Sequence, residues 1–129
     1  MVTITSPGVL SAKGAIVNNG SLAGTGAIIL DGSTAQNISG IGTYGNVTLN
    51  NISGTTATSS ITIKGTLTLT SGAFTSNGNL TMNLTTGNIA NGGAGTIVGN
   101  VVYSKTIPSK GYHYISVPST TAKNASDWN

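Results

Sequence analysis

A short pattern, glycine followed by alternating apolar positions, returns along the chain and constrains its fold more than any other feature. It occurs as Gly26-Ala27-Ile28-Ile29-Leu30, Gly45-Asn46-Val47-Thr48-Leu49 and Gly65-Thr66-Leu67-Thr68-Leu69. It recurs as Gly78-Asn79-Leu80-Thr81-Met82 and Gly99-Asn100-Val101-Val102-Tyr103. Alternation with a period of two marks a strand with one buried face. Taken as one column the pattern is irregular, because the step from Gly65 to Gly78 is much shorter than the two before it. Two interleaved columns restore the order. Leu22, Ile41, Ile61, Leu80 and Val101 form one, and Val9, Ile28, Val47, Leu67 and Ile89 the other, each with nearly even steps. A third, weaker column runs through Ile38, Ala57, Phe74 and Ile97.

Three short faces with a period of about 20 residues describe one coil of a parallel β-solenoid, a right-handed β-helix. Strands this short cannot stand alone. Coils stacked about 4.8 Å apart let each backbone N–H and C=O pair with the coil above or below. Apolar residues then form internal columns, and outward positions form polar ladders such as Thr48 with Thr68 and Asn79 with Asn100. Glycines belong at the corners. The alternative is an antiparallel β-sandwich, for which Asn19-Gly20, Asp31-Gly32, Asn77-Gly78 and Asn91-Gly92 would serve as hairpin turns. A sandwich normally buries more aromatic bulk than Phe74 and a few tyrosines provide.

Composition supports an all-β chain. Thr, Gly, Ser and Asn make up 69 of the 129 residues, Glu and Arg are absent, and Gln occurs once. These residues disfavour helix interiors, while Thr with Val and Ile favours strands. The ordered recurrence of apolar residues argues against disorder. From about Ser104 the character changes. Pro108, Pro118, Tyr112, His113, Tyr114, Trp128 and three of the five lysines lie beyond it. Residues 1–103 are therefore expected to form the coils, and 104–129 a capping segment or the start of a following module.

Several function classes are excluded or disfavoured. The net charge of +3 comes from scattered lysines without arginine, so the basic stripe of a nucleic-acid binder is missing. No apolar run approaches the ~20 residues of a membrane-spanning helix. Met1 to Pro7 has neither the basic nor the apolar region of a signal peptide, so the signal of a secreted parent is expected elsewhere. Cysteine is absent, and His113 is the one imidazole. A multi-His or Cys metal site is thus not expected. Asp31 and Asp127 are the sole acidic side chains and lie far apart, which leaves no carboxylate pair for glycoside chemistry. No Gly-x-Ser-x-Gly elbow supports a Ser-His-Asp arrangement of a serine with His113 and Asp127. Asn91-Gly92-Gly93-Ala94-Gly95 lacks the lysine and helix of a phosphate loop and is expected to be a corner. No catalytic residue, cofactor or metal is assigned.

Two stretches carry a resemblance. Leu30-Asp31-Gly32-Ser33-Thr34-Ala35-Gln36-Asn37-Ile38-Ser39-Gly40 is one, and Gly65-Thr66-Leu67-Thr68-Leu69-Thr70-Ser71-Gly72 with Thr75-Ser76-Asn77-Gly78-Asn79-Leu80 is the other. Both are similar to large extracellular repeat proteins of Bacteroidetes, gliding-adhesin-like and exported by type IX secretion. Lys105-Thr106-Ile107-Pro108, Tyr114-Ile115-Ser116-Val117-Pro118 and Asp127-Trp128 resemble the segment that follows coil regions in that group. Tyr112-His113-Tyr114 departs from its Arg- and Trp-rich form. The resemblance implies a secreted cell-surface protein and no catalytic residue.

The expected function is a non-catalytic structural or adhesive repeat module, partnered by neighbouring coils of the same parent and by end-to-end self-association. A carbohydrate- or surface-binding module is the alternative, with Tyr44, Thr48, Thr68, Tyr112 and Tyr114 as candidate contacts. Ice binding would need a flat, regular Thr array. The row Ile29, Thr48, Thr68, Thr81, Val102 is mixed and crosses two registers.

Overall fold

The computed structural model describes residues 2–107. Among these residues all regular structure is β, with no helix, and every strand pairing is parallel. Each strand stacks on the one three further along the chain, so successive strands visit three faces in turn. The chain is a β-solenoid, and the sandwich alternative is ruled out by this pairing.

The first face carries β1 (Val2–Thr3), β4 (Leu22–Ala23), β7 (Thr43–Tyr44), β10 (Ile61–Ile63), β13 (Leu80–Asn83) and β16 (Val101–Ser104). The second carries β2 (Val9–Ala12), β5 (Ala27–Leu30), β8 (Asn46–Asn50), β11 (Leu67–Ser71) and β14 (Ile89–Asn91). The third carries β3 (Ile16–Val17), β6 (Gln36–Ser39), β9 (Thr55–Ala57), β12 (Ala73–Thr75) and β15 (Thr96–Val98). Ile28 stands opposite Val47 and Val47 opposite Leu67, in agreement with the second expected column.

Parallel sheets are usually covered on both faces. Here each sheet has one solvated face, so its strands alternate as antiparallel ones do. In β8, Val47 and Leu49 are buried while Asn46 and Thr48 are half-exposed, and β10 and β13 repeat the alternation. The buried set, including Ile28, Leu30, Ile38, Leu49, Ile63, Phe74 and Met82, forms one continuous core. Fully burying one such side chain contributes about 1.5–3 kcal/mol.

The registers correct the expected columns at three points. The first column sets Ile41 opposite Ile61, but the pairing of Thr43 with Thr62 puts Gly42 there, and Ile41 is 80% exposed at a corner. The second sets Val9 opposite Ile28, a position that Leu10 holds. Both are one-residue slips, and a one-residue slip turns a side chain to the other side of the sheet. Phe74 pairs with Thr55 rather than Ala57, a two-residue slip that keeps it facing inward. The links Ile38 to Ala57 and Phe74 to Ile97 hold as expected.

The outward Thr48–Thr68 ladder forms in register. Asn79 and Asn100 directly precede the paired Leu80 and Val101 and so stack in register, with the Asn79 amide donating to Ala57 O at 3.1 Å. Buried asparagines close several corners. Asn51 Nδ2 donates to Thr34 O and to Gln36 Oε1 at 2.8 Å each, and its Oδ1 accepts from Ser53 N–H. Asn18 similarly donates to Thr43 O and accepts from Gly20 N–H. Gly72 has φ +82°, and a Cβ there would collide with the Asn51 carbonyl of the coil below. β16 carries the coil to Ser104, one residue past the expected boundary, and Thr106 N–H donates to Thr85 Oγ1. The remainder of the expected capping segment, from residue 108, lies outside the described residues.

Candidate functional site

The candidate contacts separate. Tyr44, expected at the surface, is instead fully buried and stacked on Ile63, with its hydroxyl donating to Ser39 O at 3.2 Å. Burial pushes its hydroxyl pKa up to about 12. The alternation places it inward, and an aromatic ring fills core volume that a short aliphatic side chain would leave empty. Thr48 and Thr68 do face outward, in a row on the second face that reads Ser11, Ile29, Thr48, Thr68, Ala90. Thr81 belongs to another row, on the first face, with Thr43, Thr62 and Val102. The mixed outward row considered for ice binding is therefore split across two faces. Tyr112 and Tyr114 lie outside the described residues, as do His113 and Asp127.

Asp31 sits at the corner after β5. Its carboxylate accepts from Lys13 Nζ and from Ser11 Oγ, the latter at 2.8 and 2.9 Å. These bonds, that from Lys13 first and that from Ser11 second, hold its pKa below the usual carboxylate range. An ion-paired, ionised carboxylate at the surface is poorly suited to proton transfer. In the corner Asn91-Gly92-Gly93-Ala94-Gly95, Gly92 and Ala94 N–H donate to Leu69 O and Thr70 O of the coil below, so those donors are committed to stacking.

Among the described residues, a concavity interrupts the regular surface. It is a cleft of about 350 Å³ between the first and second faces, lined by Ser21, Thr25, Gly45, Lys64 and Thr86 among others. Its origin is a break in the first-face ladder. The second and third faces are each a continuous five-stranded sheet, whereas the first divides into β1–β4 and a four-stranded remainder. Among the described residues the one ladder bridge between the two parts is Ser21–Thr43, where Thr43 N–H donates to Gly20 O at 2.9 Å. On the next coil Lys64 N–H donates to Tyr44 O at 2.8 Å and Gly65 N–H to Gly45 O at 3.3 Å. Among the described residues, no corresponding backbone bond joins Gly45 to Leu22, or Gly24 to Gly45. Asn46 spans the gap instead, with Nδ2 donating to Thr25 O and Gly26 O at 3.1 and 3.4 Å.

Sequence reasoning missed this cleft. The step along the chain from Ser21 to its partner Thr43 is longer than that from Thr43 to Thr62, and that lengthening is the available signal. Comparison with family models, with curated proteins and with solved structures returned no match.

Proposed function

We propose that the chain is a non-catalytic structural or adhesive repeat module of a secreted bacterial surface or filament protein. The observation that carries this reading is the uninterrupted stacking of two faces over five strands each. Such a stack is a stiff, quasi-one-dimensional body whose length grows with coil number. Its outward rows are rich in hydroxyls and amides, which suits a spacer that holds other surfaces apart. The resemblance to gliding-adhesin-like repeat proteins of Bacteroidetes supports an extracellular setting. Further coils of the parent, or the ends of a second copy, are its natural partners, because an open coil end presents unpaired N–H and C=O groups.

Replacing Asp31, His113 and Asp127 by Asn, Gln and Asn tests the non-catalytic reading, since these residues carry all its carboxylate and imidazole side chains. Surface attachment by the triple variant is expected to match that of the parent chain. Loss of attachment with the circular dichroism spectrum unchanged would overturn the reading.

A further inference from the structure

We propose that the cleft at the break in the first face binds a carboxylate-bearing sugar, with Lys64 as the cation that selects it. The inference goes beyond the spacer role and fails or stands separately from it. Three observations converge. The cleft's volume, about 350 Å³, lies near the lower end of the ~300–1,000 Å³ of small-ligand sites. Among the described residues, the N–H groups of Gly24 and Gly45, which line the cleft, make no backbone hydrogen bond across the broken ladder. Both face the cleft and its solvent, so water or a ligand can pair them. Lys64 also lines the cleft, and the one ion pair among the described residues, Lys13–Asp31, does not involve it.

Hydrogen-bond capacity narrows the ligand class. Thr43 Oγ1 donates to Ser21 Oγ at 3.1 Å, and Thr25 Oγ1 accepts from Ser6 N–H at 3.1 Å. The Ser21 and Thr25 hydroxyls therefore retain a proton to donate. Thr86 Oγ1 donates to Lys64 O at 2.7 Å and retains acceptor capacity. A site with several available donors, a few acceptors and an ammonium outside that ion pair suits a polyhydroxylated ligand that presents a carboxylate to the ammonium. The ammonium takes the carboxylate, and the sugar hydroxyls exchange bonds with the backbone and threonine groups.

The test titrates the full chain with a trimer of glucuronic acid, the glucose trimer and acetate at equal ionic strength, followed by amide NMR shifts. The uronate trimer is expected to move the amides of Gly24, Thr25, Gly45 and Lys64. Lys64→Gln should weaken its binding about tenfold or more, as loss of a charge-assisted bond requires. Lys64→Arg should retain most of the affinity, and Lys13→Gln should leave it unchanged. The glucose trimer should bind at least tenfold more weakly. Lys64 is exposed, so its substitution leaves the core intact. Absence of shifts at the cleft amides, equal binding of the glucose trimer, an equal response to acetate, or undiminished binding by Lys64→Gln would each overturn the proposal. None of these outcomes bears on the stacking that supports the spacer role.

Discussion

Leu67 and Thr66 adjoin in sequence and face opposite environments. Leu67 is fully buried between Val47 and Ile89, while Thr66 is half-exposed and donates its N–H to Asn46 Oδ1. A carboxylate at Leu67 would be buried without a partner. Leu67→Asp is expected to lower stability by more than about 3 kcal/mol, and Thr66→Asp by less than about 1 kcal/mol. Urea midpoints of the two variants check this, and equal shifts would contradict the inside–outside assignment. Tyr44 gives a second test at this scale. Its hydroxyl pKa rises from the ordinary 10.0 to about 12 in the folded state. The unfolded chain therefore loses this proton first as pH rises. The stabilisation is complete below about pH 10 and is lost progressively toward about pH 12. Tyr44→Phe should flatten that alkaline decline, and should cost about 0.5–1.5 kcal/mol at neutral pH through the lost bond to Ser39 O. Thermal melts between neutral and alkaline pH would measure both effects.

At the level of strands and corners, the stack depends on backbone conformations that side chains would block. Gly72→Ala places a Cβ against the Asn51 carbonyl at φ +82°, and should destabilise by at least about 2 kcal/mol. Gly14→Ala meets nothing within 4 Å, and should be neutral or stabilise by about 0.4–1 kcal/mol. Calorimetry on the pair separates a conformational demand from a generic response to losing glycine. The legible part of the fold was the alternation in segments such as Gly65-Thr66-Leu67-Thr68-Leu69, where apolar position and register agree. Ile41 and Val9 misled because apolar character does not distinguish a core column from a corner one residue away. Tyr44 misled in the opposite sense, since an aromatic beside a glycine suits a surface contact as well as a core. The cleft was not legible at the level of residue type. Among the described residues it arises where the backbone bonds of Gly24 and Gly45 are missing just past the Ser21–Thr43 bridge, and no residue type encodes an absent bond.

For the molecule as a whole, the ends matter more than the sides. Val98, Val102 and Tyr103 are exposed in the last described strands, and the strands of that coil have no described coil above them. A chain ending at Tyr103 is expected to associate end to end at high concentration, and the full chain less so, because the segment from Ser104 onward is expected to cover or continue the stack. Light scattering on the two lengths measures this. A shortened chain that stays monomeric would reject the covering role. The stacking itself is tested most directly by spin-label distances along the second-face row from Ser11 through Ile29, Thr48 and Thr68 to Ala90. With Ser11 as the fixed site, the separation should grow by about 4.8 Å per coil, to roughly 14 Å of backbone distance at Thr68 and roughly 19 Å at Ala90. Distances that fail to increase in chain order would contradict the parallel solenoid and every functional inference built on it.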